Sequence, residues 1–187
     1  GYTMVYGILQ LINFAHGEVL MIGAMISLTI ITIFEFYFPG VPGPILLLVA
    51  LLFAAPACAL LAATIERVAY RPLRNAPRLA PLITAIGISI VLQTVAMIIW
   101  SPNPKVFPDL LPIESMKIFG ALISPKQILI LCTSTISMII LMFFVLKTNF
   151  GRAMRAVSEN PEIALLMGIS VNNVITVTFV IGATLAA

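Results

Sequence analysis

The stretch from Leu79 to Pro104 reads LAPLITAIGISIVLQTVAMIIWSPNP and holds no charged residue. A helix crossing a hydrocarbon core about 30 Å thick needs roughly 20 predominantly apolar residues. This run supplies a helix from Leu79 to Trp100 and then stops on Ser101-Pro102-Asn103-Pro104, a strong breaker. Working outward, Phe36 to Ile65, Gln127 to Leu146 and Ile163 to Ala187 are also free of charge, and Gly1 to Ala15 and Val19 to Phe34 flank a small polar cluster. Of the 187 residues 61% are hydrophobic and only 9% charged, and the mean hydropathy is +1.14. A soluble domain carries roughly 25% charged residues; so few charges cannot cover a water-exposed globule. The class is all-α, a polytopic membrane protein, and soluble enzyme folds are excluded.

The predicted spans are Val19 to Tyr37, Ile45 to Ile65, Leu79 to Trp100, Gln127 to Leu146, one beginning near Val171, and a partial helix from Tyr2 to Ile12. That makes five to six membrane segments in one transmembrane unit over residues 1–187. Both ends fall inside apolar runs, without a charged n-region or A-x-A cleavage site before the first span. The expectation is the central part of a longer protein. Phe38-Pro39-Gly40-Val41-Pro42-Gly43-Pro44 is a tight connection, and Tyr37 and Trp100 stand at span ends, as interfacial aromatics do.

Arg67, Arg71, Arg74 and Arg78 lie in one loop, and Lys147, Arg152 and Arg155 in another, against three scattered Lys between Pro102 and Lys126 and none near Phe38. The positive-inside rule puts the arginine-rich loops in the cytoplasm. The basic pI therefore reports orientation, and no nucleic-acid partner is expected. Cys58 and Cys132 fall inside spans, as packing residues rather than a disulfide or metal pair. Small residues four apart, such as Ala55, Ala59 and Ala63, make a smooth stripe for close helix approach, within the chain or at a subunit interface.

Asn13-Phe14-Ala15-His16-Gly17-Glu18 interrupts the apolar region and holds the single His. Ionisable groups near the membrane usually line a path or bind a partner. Gly17 weakens a helix here, so a turn or unwound segment is expected. Two readings stand: a loop at the membrane edge, since Val19 to Phe38 alone spans about 30 Å, or a discontinuous helix lining a transport route. One His and one Glu are too few for a zinc site. Thr84, Ser89, Gln93, Thr133, Ser134 and Ser137 are polar span residues that either line a pathway or bond neighbouring helices.

Within the loop 147–170, Asn160 to Gly168 reads as a short capped helix: Asn160 at the cap, Pro161 at the first position, Glu162 facing the dipole, and Gly168 closing it. Ser170 offers a cap for the next span. Ile163, Leu165, Leu166 and Met167 need a covering surface: the protein's own helices, the lipid interface, or a groove on a cytoplasmic partner. Arg152, Arg155, Glu159 and Glu162 would rim such a contact. No Walker A pattern occurs, so the chain should not hydrolyse ATP. With neither H-E-x-x-H nor G-x-S-x-G, no catalytic residue is assigned.

Three segments are similar to a known family: Ile12 to Glu18 with Met21-Ile22-Gly23-Ala24; Glu66 to Arg74 running through Pro77-Arg78-Leu79-Ala80-Pro81 to Gly87; and Gly151 to Ala156 with Glu159-Asn160-Pro161-Glu162 and Ala164 to Gly168. They resemble the LivH-like permease subunits of branched-chain amino acid ABC importers. The resemblance implies a multi-pass permease of the bacterial inner membrane, with Asn13, His16, Gly17 and Glu18 near the substrate route. It also makes Glu162-x-Ala164-x-x-x-Gly168, with Arg152, Arg155, Glu159, Asn160 and Pro161, the contact with ATP-binding subunits. The implied partners are those cytoplasmic subunits, which carry ATP and Mg, a second permease subunit (identical or a paralogue), a periplasmic binding protein and the lipid bilayer; no cofactor sits on this chain. Alternatives are the related urea and amide importers, or an ion-coupled secondary transporter.

Overall fold

The computed structural model describes residues 7, 14–73, 76–77, 79–110, 116–118 and 121–187. Among the described residues seven α-helices of more than one turn follow one another: α1 (His16–Tyr37), α2 (Gly43–Ile65), α3 (Leu79–Trp100), α4 (Pro125–Lys147), α5 (Asn149–Glu159), α6 (Pro161–Leu166) and α7 (Val171–Thr184). Four of them, α1 to α4, are long and apolar enough to cross a membrane, and α2 continues without a break to Leu73. The expected helix from Tyr2 to Ile12 lies outside the described residues, apart from Gly7.

The loop between α3 and α4 carries a feature the apolar pattern did not foretell. Met116–Ile118 (β1) and Ala121–Ile123 (β2) pair antiparallel as a short hairpin. The segment after α2, expected as a loop, is helical: Glu66–Tyr70 forms a π-turn and Arg71–Leu73 a 3-10 turn. The loop 147–170 likewise contains a second helix, α5. Its pattern is strongly amphipathic, with Gly151, Met154 and Val157 inward and Arg152, Arg155 and Glu159 outward.

The packing centre is α2, lying against α1 on one side and α7 on the other. Leu46, Ala50, Ala54, Cys58, Ala62, Glu66 and Tyr70 are all buried, at steps of four residues. Four residues turn a helix through about 400°, so this stripe creeps by about 40° at each step. Its early part therefore faces α1, in a cluster with Ile31. Its later part reaches Ile175, Phe179 and Ala183 of α7 as well. The expected stripe at Ala55, Ala59 and Ala63 is only half-buried; the buried one is displaced by a single residue. Small side chains permit the approach: a Cβ added to Gly23 of α1 would stand 3.0 Å from Cys58 Sγ and 3.2 Å from Ala187 Cα. Cys58 is a packing residue, as its place in an apolar span suggested, and its Sγ points 3.6 Å from the Val19 carbonyl oxygen.

Polar contacts fix the relative heights of the helices. Trp100 Nε1 at the end of α3 donates to Thr29 Oγ1 of α1 at 2.9 Å. Glu18 near the start of α1 bonds Ser89 and Gln93 of α3. The two helices thus run parallel, with α1 displaced toward its own C-terminal end. About 12 Å of α1 extends beyond Thr29.

Candidate functional sites

The displacement of α1 decides where the polar cluster sits. Ser89 lies ten residues into α3, about 15 Å from its start, and Cys58, level with Val19, is about 10 Å from the end of α2. The first turn of α1 therefore stands level with the middle of α3, well inside the bundle. The length arithmetic that favoured an edge loop assumed a centred helix, and α1 is not centred.

His16, Gly17 and Glu18 are themselves helical, which corrects the expectation of an unwound segment there. The turn comes just before, at Phe14 and Ala15, and Asn13 lies outside the described residues. Glu18 occupies the first helical turn, where a negative charge faces the positive end of the dipole. Its Oε1 accepts from Ser89 Oγ at 2.8 Å and from Gln93 Nε2 at 2.7 Å. His16 is half-buried and Gly17 exposed.

Above this cluster, α1 and α3 leave a cleft of about 350 Å³. Met21, Ala24, Met25 and Leu28 line one wall, and Gln93, Ala96 and Met97 the other; the segment from Ser101 to Lys105 and Phe107 forms its far rim. Gln93 thus belongs both to the cleft wall and to the Glu18 cluster.

The second site is built on the α5–α6 turn. Thr148 Oγ1 accepts from Gly151 N at 3.0 Å and donates to the Phe144 carbonyl at 2.6 Å. Arg155 donates from Nη1 to the Val145 carbonyl, and Arg152 from Nη2 to Asn149 Oδ1. A Cβ on Gly151 would collide with the Val145 carbonyl oxygen, so only glycine permits this junction. The two arginines thus brace the α4–α5 corner as well as presenting charge.

Asn160 caps α6, its Oδ1 accepting from Glu162 N at 3.0 Å and Ile163 N at 3.1 Å. Pro161 opens the helix and Gly168 closes the turn at φ +80°. Ala164 is buried against Met154, Val157 and Val174, while Ile163, Leu165, Leu166 and Met167 are exposed, Leu166 at 86%. Glu159 and Glu162 lie exposed beside them. Ser170 precedes α7 without a side-chain cap bond, which corrects its expected role.

Two contacts escaped the sequence reading. Glu66, 0% exposed, accepts from Thr176 Oγ1 of α7 at 2.6 Å, and Tyr70 packs on Phe179 with ring centroids 5.2 Å apart. The signal was present: Glu66 and Tyr70 continue the four-residue stripe of α2. Thr133 and Ser134, by contrast, bond carbonyls of their own helix rather than a neighbour.

A stack of apolar spans with a polar cluster at mid-height and an exposed capped turn defines the class: a multi-pass helical membrane protein. The family model described as "Branched-chain amino acid transport system / permease component" matches residues 1–187. The chain is 44% identical to the high-affinity branched-chain amino acid transport system permease protein BraD of Pseudomonas aeruginosa, and 40% identical to LivH of Escherichia coli. In both cases all of this chain and 62% of the relative are covered. A probable LivH of Methanocaldococcus jannaschii is 28% identical over the whole chain and 58% of its own length. The chain belongs to the branched-chain amino acid transport permease family and spans about three-fifths of the length of these curated relatives. No solved structure matches it.

Proposed function

We propose that this chain forms part of a permease subunit that moves branched-chain or other neutral amino acids across the bacterial inner membrane. It has no chemistry of its own to perform: transport is driven by ATP, with Mg, on cytoplasmic ATP-binding subunits. A second permease subunit, identical or a paralogue, completes the pathway, and a periplasmic binding protein delivers the substrate. The arginine-rich end of the bundle then faces the cytoplasm, in accord with the charge bias of the loops.

The observation that carries this reading is the exposed apolar tip of α6. A six-residue helix anchored by one buried alanine, with Ile163, Leu165, Leu166 and Met167 turned outward, is shaped for insertion into a groove. It is joined through Gly168 to α7, and α7 packs on α2, so force on the tip is passed into the bundle. Glu159, Glu162, Arg152 and Arg155 supply charges near the tip. At the other end of the linkage, Glu18 with His16, Gly17 and Asn13 marks the substrate route, since a carboxylate at mid-bundle depth is costly unless it is used.

Replacing Glu162 and Gly168 together by Arg is expected to abolish both copurification of the ATP-binding subunit and ATP-dependent leucine uptake. Retention of both would remove α6 from the coupling role.

A further inference from the structure

The cleft between α1 and α3 ends on a polar group that its apolar walls do not need. Gln93 donates from Nε2 to Glu18. A carboxylate accepts only, so this bond fixes which end of the amide faces Glu18. The amide oxygen of Gln93 is left facing away from Glu18, and it accepts no hydrogen bond among the described residues. Ser89 holds the same Glu18 oxygen from one helical turn away, which stiffens the arrangement.

The space next to it is small and oily. A cleft of about 350 Å³ lies at the lower end of the range for ligand sites, roughly 300–1,000 Å³. Met21, Met25, Leu28 and Met97 present flexible apolar side chains, and Ala24 and Ala96 leave the room. An acceptor backed by a carboxylate, beside an apolar cavity of this size, matches a small molecule with an ammonium group and an aliphatic side chain.

We infer that this cleft is the transient binding site of the transported amino acid, with the Gln93 oxygen and the Glu18 charge receiving its ammonium group and the methionine-lined wall receiving its side chain. Gln93 is the selecting residue, and Glu18 and Ser89 position it. The inference rests on the permease reading above and assigns that route an address.

The test uses the full-length subunit assembled with its ATP-binding subunits and receptor in proteoliposomes. The probes are radiolabelled leucine and a diazirine analogue of leucine. Photolabel that excess leucine competes away is expected on peptides containing Met21–Leu28 or Gln93–Met97. Ala96→Leu should lower that labelling about tenfold, the order of discrimination that a few methylenes give in an apolar pocket. Gln93→Leu should raise the half-saturating leucine concentration about tenfold, and the exchange Glu18→Gln with Gln93→Glu, which restores one charge and one hydrogen bond, should recover most of it. A merely structural pair would change the amount of assembled transporter and leave half-saturation where it was. Labelling that leucine does not displace, as from a lipid-filled groove, or unchanged half-saturation in Gln93→Leu, would overturn the inference. Failure of the unmutated assembly to take up leucine at all would instead overturn the permease reading.

Discussion

Helices α2 and α4 each have 23 residues, each opens with proline in its first turn, and each is long and apolar enough to span a membrane. Yet α2 buries Leu46, Ala50, Ala54, Cys58, Ala62 and Ile65, while α4 buries none of its residues against the rest of the described chain. Hydropathy does not distinguish them; the spacing of small side chains does. In lipid there is no hydrophobic gain from bringing two apolar helices together, so close packing must come from small residues that let backbones approach. Helix α2 has such a residue at every fourth position from Ala50 to Ala62. Helix α4 instead bunches its small residues over Cys132 to Ser137 and carries Ile, Leu, Met and Phe elsewhere, so no small residue recurs every fourth position along its length; its principal contact is the corner with α5.

The comparison breaks most readily on the α2 stripe. Ala54→Leu, at a site with no exposure, is expected to destabilise the detergent-solubilised protein by about 2–3 kcal/mol, as overpacking does. Thermal unfolding checks this; an unchanged midpoint would show that α2 does not pack as described. Next comes Gly151→Ala, which forces a methyl into the Val145 carbonyl and should cost about 2 kcal/mol while increasing proteolysis at the α4–α5 corner. Trp100→Phe removes the bond to Thr29 and should cost about 0.6 kcal/mol, the mean for such bonds in a membrane protein. At the small end, Ile139→Ala on α4 should change stability by less than about 0.5 kcal/mol in the separated chain. A larger loss appearing only in the assembled transporter would sharpen the contrast by placing a partner on that helix.

The legible parts of the sequence were those set by local chemistry. Leu79 and Trp100 bound α3 as read, because proline and charge flank the run. Asn160, Pro161 and Gly168 define the α6 turn through capping, a preset φ and a left-handed closure, each a property of one residue and its neighbours. Glu18 and Gln93 were both noticed, but separately. They lie 75 residues apart, and no periodicity within either helix connects them. The buried stripe was found one residue off, since alanine fills both candidate faces of α2 and only the position of its neighbours chooses between them.

Hydropathy and breakers in the chain thus determined which stretches form long apolar helices, because burying backbone polar groups in lipid leaves helices as the economical solution for such runs. The tertiary structure decided their heights. A helix can slide along its neighbour with little change in apolar contact, and only specific side-chain meetings stop it. Trp100 with Thr29, Cys58 with Val19, and Ser89 and Gln93 with Glu18 are those meetings. Together they carry the start of α1 from the bundle's edge to its middle.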